Sequence, residues 1–317
     1  MNYIVLDLEW NQGENEEGNL PFEIIEIGAV KVNENGEMID KFSMLIRPSI
    51  YPEIYKYISK VIGVGHDELR KGSTFVDAFY KFIEWCGKDF IFCTWGPMDL
   101  TELQRNMDYY HIENPFPFPF YYYDIQKIYS IHKKEGKIKR ALDYVVEEMG
   151  ITVDGPFHRA MWDSYYTAKV MEKIPLSKYL IYESIDYHRI PQTRKDEIYK
   201  VFHNYSKYVS REFSSKEEAM KEKSVTSSVC FLCGKSIKKK VDWFSVSGKF
   251  YYCAAWCPIH GWMKGKIRVK KGKNRNTIFV IKTMKYTNEE EIGKIKEKQI
   301  ELREKRKERR KLLKEGI

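Results

Sequence analysis

The chain has 317 residues and a formal charge of +9 at pH 7, and the charge is unevenly spread. From residue 225 on, 25 Lys and Arg stand against 9 Asp and Glu, a net +16, whereas the preceding part holds 29 against 36, a net −7. The length suits about two domains, no apolar stretch approaches the roughly 20 residues that cross a bilayer, and the N-terminus lacks the basic-then-apolar pattern of an export signal. A helical membrane protein is thereby excluded, and a cytoplasmic setting is expected. A basic end on an acidic body suits an enzyme acting on a polyanion, because Lys and Arg replace phosphate counterions; it equally suits a solubilising tail.

Residues 3–10 (YIVLDLEW) read as a strand, and Ile24–Val32 as a second. The Asn35-Gly36 pair that follows signals a hairpin into a third strand, about Met38–Ile46, ended by Pro48. Helical patterns cover about 53–62 and 74–86, the latter with Phe75, Ala78, Phe79, Phe82 and Ile83 at helical spacing. Phe90–Thr94 reads as a short buried strand, Asp99–Tyr110 as a helix, Tyr121–Ile125 as a strand, and Ala141–Met149 and Met161–Met171 as helices. Pro115, Pro117 and Pro119 mark a loop between them. Three strands followed by alternating helices and strands predict an α/β fold with a mixed sheet. The polar stretch 177–228 is expected as a helical connector, 229–287 as a small Cys-containing module, and 288–317 as a charged helix or disordered tail.

Asp7 and Glu9 are two apart on the first strand, so both carboxylates share one face while Leu6, Leu8 and Trp10 take the other. Paired carboxylates repel and are costly to bury unless a cation joins them, and hard oxygen ligands suit Mg²⁺ or Mn²⁺. Most such pairs merely face solvent, but this strand is strongly apolar. Asp99, after the Gly96-Pro97 turn, and Asp163 both stand where an Asp also serves as a helix cap. His158 lies in the turn before Asp163.

Asp7-Leu8-Glu9, then Trp95-Gly96-Pro97-Met98-Asp99, then His158 with Asp163 five residues on, have the order and spacing of the DEDDh exonucleases. The chain resembles that family over about residues 1–175. The stretch EIIEIGAVKV also resembles the family's second strand, and Trp95-Gly96 resembles the branch holding histone-mRNA, RNAi-related and KapD-like 3′ exonucleases. The resemblance implies an RNase H-like fold and a two-metal mechanism. Asp7, Glu9 and Asp163 are then the main ligands of two Mg²⁺ or Mn²⁺ ions, and Asp99 binds the second through water. His158 takes the proton from the attacking water. The implied substrate is single-stranded RNA or DNA with a free 3′ end, with RNA favoured, and the implied products are nucleoside 5′-monophosphates. One departure is Trp10-Asn11-Gln12, where many members carry Thr-Gly or Ala-Thr; it leaves open how the terminal nucleotide is gripped.

Four of the six cysteines fall in the C-terminal part, at 230, 233, 253 and 257. Cys-Phe-Leu-Cys-Gly from Cys230 is mirrored by Cys-Pro-Ile-His-Gly from Cys257, separated by strand-like segments. This predicts a zinc-ribbon-like module with structural Zn²⁺ on Cys230, Cys233, Cys257 and His260. Cys253 is an alternative ligand for the last two. The alternative is a set of unrelated buried thiols. The basic run from Lys264, with Trp256, Trp262 and Phe279 nearby, fits either single-stranded nucleic acid or an ordinary polar hairpin. Two other functions stay open at this point: a non-catalytic nucleic-acid-binding zinc protein with a relic exonuclease domain, and a structure-specific endonuclease.

Overall fold

The computed structural model describes residues 1–12, 20–55, 58, 63–136, 138–273 and 276–315. The chain divides into two units, Met1–His188 and Arg189–Ile317.

The first unit is built on six strands: β1 (Asn2–Asn11), β2 (Glu23–Val32), β3 (Met38–Leu45), β4 (Phe90–Thr94), β5 (Tyr121–Asp124) and β6 (Ser184–Ile185), in the order β3-β2-β1-β4-β5-β6. The first three form an antiparallel meander; β4 and β5 join parallel, and β6 antiparallel. The Asn33 side chain accepts from the Asn35 and Glu37 amides at the first hairpin, and Gly36 takes φ +86°, as the Asn-Gly pair predicts. Among the described residues the α-helices of this unit include α1 (His66–Arg70), α2 (Phe75–Cys86), α3 (Met98–Tyr109), α4 (Ile125–His132), α5 (Leu142–Glu148) and α6 (Ala160–Lys173). Of the helix expected over 53–62, residues 56–57 and 59–62 lie outside the described residues; Ile58 is helical, and 53–55 are not.

Strand alternation sorts β1 between two cores. Ile4, Leu6 and Leu8 pack with Phe79 and Phe82 of α2 and Leu100 and Leu103 of α3. Tyr3 and Val5 face the other way, with Tyr129 of α4, Val145 of α5 and Tyr166 of α6. Asp7 and Glu9 continue this second face. On β2, Gly28 lies opposite Asp7 in the register, and a Cβ there would stand 2.0 Å from the Ala160 carbonyl carbon and the Met161 nitrogen. The first turn of α6 therefore rests on the strand backbone itself, a contact only glycine permits.

The second unit is one antiparallel sheet of β7 (Ile198–Val201), β8 (Tyr205–Val209), β9 (Lys238–Ser247), β10 (Phe250–Cys257), β11 (Gly261–Lys271) and β12 (Ile278–Tyr286), ordered β7-β8-β12-β11-β10-β9. Here α7 (Lys216–Lys221) and α8 (Lys223–Thr226) contribute Ala219 and Val225 to a core with Tyr208, Ile267 and Val280. The helical connector expected over 177–228 is corrected by this arrangement. It holds β6, β7 and β8 besides two short helices, and β8 pairs with β12, so the C-terminal sheet begins well before residue 229. These strands are short and interrupted by Lys200 and Lys207, which leaves too few alternations to register as a period. The charged tail is a helix, α9 (Glu289–Glu315); Ile292 anchors its start against Val241 and Ala254, and Lys294–Glu290 and Lys305–Glu301 are paired one turn apart along it.

Candidate active site

β1 outruns its parallel neighbour. The ladder with β4 extends only from Asn2 to Val5, and Asp7 and Glu9 stand on the overrun. The Leu8 amide, between the two acids, donates to Asp99 Oδ1 at 3.3 Å. Asp99 is 5% exposed and sits in the first turn of α3, after Gly96 at φ +102° and with Pro97 in the capping position. Its carboxylate thus points at β1 instead of capping its helix.

The turn into α6 brings the remaining groups. His158 is exposed and holds φ +63°, a left-handed conformation that non-glycine residues rarely adopt. Its amide donates to Asp163 Oδ2 at 2.8 Å, while Asp163 Oδ1 is buried with no hydrogen-bond partner among the described residues. Next in the chain, the Arg159 guanidinium donates twice to Glu26, at 3.1 and 3.2 Å, tying the turn to β2. Ligand atoms of Glu9, His158 and Asp163 lie within 4.8 Å of one another. Asp7 and Asp99 lie outside that tight trio but line the same open cleft, of about 410 Å³, together with Trp10, Trp95 and Phe157. All five sequence-predicted residues thus meet in one place. The sequence reading missed Glu26 and Arg159; the signal was an acid inside an otherwise apolar strand, EIIEIGAV.

Trp10 packs on Phe22 with ring centroids 5.5 Å apart, and Asn11 is fully buried. The Asn11 side chain donates to the Tyr51 and Glu53 carbonyls and accepts from the Tyr55 amide, while the Glu23 carboxylate accepts from the amides of Ser49, Ile50 and Tyr51. The departure at Trp10-Asn11 therefore fastens the segment after β3 beside the end of β1.

The electrostatics of the cleft are unfavourable without a cation. Burial, followed by repulsion from Asp99, Asp163, Glu9 and Glu26, raises Asp7 well above the usual carboxylate range. Burial and then Asp163 push Glu9 up to about 8, against a lowering pull from Arg159. Burial likewise pushes Asp99 and Asp163 up to about 7, opposed at Asp163 by the His158 amide. Crowded oxygen donors with one oxygen left unpartnered fit hard divalent cations, which supply the missing positive charge. Carboxyls whose folded pKa is raised bind extra protons in the folded state, so their stabilising effect is complete below about pH 4 and is lost as pH rises through about 7–8. The metal-free protein should accordingly melt lower at about pH 8 than at about pH 5, and Mg²⁺ or Mn²⁺ should raise the melting temperature more at the higher pH. Calorimetry with and without EDTA checks this; a metal effect independent of pH would contradict it.

In the second unit, Cys230, Cys233, Cys257 and His260 come together, with ligand atoms within 4.8 Å of one another. Cys253 is not among them. It is buried on β10 beside Gly265 and Ser228.

The exonuclease family profile matches residues 4–171 of the chain. Over 178 residues the chain is 28% identical to the probable 3′-5′ exonuclease KapD of Bacillus subtilis, covering 55% of this chain and 85% of that protein. It is 27% identical over 167 residues to human 3′-5′ exoribonuclease 1, covering 49% of this chain and 48% of the relative, so it spans about half of that relative's length. The nuclease domain of 3′hExo, a DEDDh family member solved bound to rAMP, superposes with a TM-score of 0.51 at 22% identity, over 59% of this chain and 96% of that one. A 3′-exonuclease solved for 3′-end recognition of a histone mRNA stem-loop gives 0.50 at 21% identity, over 58% and 84%. With the family match extending over half the chain and the fold agreeing, the chain belongs to the exonuclease family, as a 3′-to-5′ exonuclease with an RNase H-like first unit.

Proposed function

We propose that this enzyme degrades single-stranded RNA from a free 3′ end and releases nucleoside 5′-monophosphates. The observation that carries the reading is the convergence of Asp7, Glu9, Asp99 and Asp163 with exposed His158 on one open cleft. The preference for RNA is supported by the human relative, named an exoribonuclease, and by structural neighbours solved with rAMP and with a histone mRNA stem-loop.

The four carboxylates would hold two Mg²⁺ or Mn²⁺ ions, which when bound polarise the scissile phosphate and ease deprotonation of the attacking water. The chain's own residues do the rest. His158, on the solvent side of Asp163, takes the proton of the water as its oxygen bonds to phosphorus and the bond from phosphorus to the 3′ oxygen breaks. Asp163 holds the His158 amide and so fixes the ring's approach. Trp10, Trp95 and Phe157 give the cleft apolar walls against which bases could stack.

The test is hydrolysis of matched RNA and DNA oligonucleotides, with Mg²⁺ or Mn²⁺ and with EDTA, beside His158→Ala. The expected result is a metal-dependent ladder from the 3′ end, faster on RNA. The variant should be slowed about 10²- to 10⁴-fold while calorimetric Mn²⁺ binding persists. Tight binding without hydrolysis would instead favour a non-catalytic nucleic-acid-binding protein. Cleavage of circular RNA, which has no end, would favour an endonuclease.

A further inference from the structure

The second unit carries a cluster that the nuclease reaction does not use. Cys230 and Cys233 lie in the segment between α8 and β9; Cys257 ends β10, and His260 lies in the turn into β11. The two pairs are built alike. The amides of Leu232 and Cys233 bond to the Cys230 sulfur, and those of Ile259 and His260 to the Cys257 sulfur. Each loop closes on a glycine in the left-handed region, Gly234 at φ +70° and Gly261 at φ +79°. Each also presents one apolar residue outward at its tip, Leu232 and Ile259. Two such loops face each other and direct their ligand atoms to one point.

The spacing of those atoms identifies what fits between them. Zinc bound at about 2.3 Å to sulfur and about 2.0–2.1 Å to imidazole in a tetrahedron sets edges of about 3.8 Å between sulfurs and about 3.5 Å between sulfur and nitrogen. Cys233 Sγ and Cys257 Sγ are 3.8 Å apart, Cys230 Sγ and His260 Nδ1 3.4 Å, and Cys257 Sγ and His260 Nδ1 3.7 Å. A disulfide needs sulfurs about 2.05 Å apart, and all four cysteines of this unit are free thiols. We propose that Cys230, Cys233, Cys257 and His260, the last through Nδ1, bind one structural Zn²⁺ that fastens the β10–β11 turn to the segment leading into β9.

Four protein ligands close the tetrahedron, so no position remains for substrate or water, and the ion cross-links instead of catalysing. Besides the ion, the segment is held by one isolated bridge, Val229 with Ser236, by the amide bonds of its own turn, and by Phe231 and Ile237 packed against Ala255 and Met263. Soft thiolates also distinguish this site from the carboxylate cleft, which has no cysteine among its described lining residues, so the two can be loaded with different metals. Cys253 provides an internal control, because it is as buried as Cys230 yet points at Gly265, where a Cβ would stand 2.5 Å from its sulfur.

The test measures metal content and colour on the full-length chain, independently of nuclease activity. Elemental analysis should find one zinc per chain, retained in Cys253→Ala and in Asp7→Asn, and lost in Cys233→Ser and His260→Ala. His260→Cys, which restores four soft ligands, should keep the ion and shows that loss in His260→Ala is not mere unfolding. Cobalt exchanged into the site should show sulfur-to-metal charge transfer and the intense bands of tetrahedral geometry. Zinc well below one per chain, iron in its place, or a Cys233–Cys257 disulfide found by mass would overturn the proposal. So would zinc retained in Cys233→Ser but lost in Asp7→Asn, which would assign the ion to the carboxylates.

Discussion

Gly28→Ala is expected to cost about 3 kcal/mol of stability and to lower hydrolysis about 10²-fold. The added methyl would stand 2.0 Å from the Ala160 carbonyl carbon and the Met161 nitrogen. Both are backbone atoms, so no rotamer change relieves the clash, and either β2 or the start of α6 has to move. The start of α6 carries Asp163, and the turn before it carries His158. A shift of about 1 Å there separates the base and one carboxylate from Asp7 and Glu9, which stay on β1, and a displacement of that size costs about 10²-fold in rate. Thermal unfolding and single-turnover hydrolysis check the two parts. Gly293→Ala, in the exposed helix α9 where an added Cβ meets nothing within 4 Å, is the control for the substitution itself. Wild-type activity in Gly28→Ala would show that the α6–β2 contact does not position the site.

Asp7→Asn should have two effects of opposite sign. Hydrolysis should fall by at least about 10³-fold, because a cation site that supplies several kcal/mol to the transition state loses a charged ligand. The metal-free protein should nevertheless melt higher than wild type at about pH 8, where the raised carboxyls of the cleft lose their protons and repel. Burial is the largest cause that raises Asp7, ahead of Asp99, Asp163, Glu9 and Glu26, and a neutral Asn avoids both the cost of burying a charge there and those repulsions. Hydrolysis and calorimetry in EDTA separate this from misfolding: lost activity with a lower melting temperature would mean a damaged fold, and retained activity would remove Asp7 from the site.

The first unit was readable because its signals are local. Apolar runs bounded by Asn35-Gly36 and Pro48 mark the meander, and the periodic Phe75–Phe82 stripe marks α2. The five site residues could be read because their order along the chain is characteristic even though each motif is short. Their convergence was not readable from the motifs alone. It depends on β1 lying between β2 and β4, and on Gly28 admitting α6, both long-range facts. Arg159 and Glu26 stayed hidden for the same reason, since 133 positions separate the partners of that pair. In the second unit the knuckles were legible by their mirrored spacing, but β7 and β8 were not. Each is at most five residues long and gains its place only by pairing, β7 with β8 and β8 with β12.

The overrun of β1 past β4 has a kinetic consequence. The Leu8 amide, unclaimed by a ladder there, is held by the Asp99 side chain. A bond to an ionised carboxylate is roughly twice as strong as one to a neutral partner, and burial pushes Asp99 up to about 7. Solvent-proton exchange at this single amide therefore follows the charge state of the cleft. Relative to the amide's intrinsic, pH-dependent exchange rate, protection rises when Asp99 is ionised and falls when a proton neutralises it, so one backbone position, read by isotope labelling, acts as an indicator built into the strand that carries the acids.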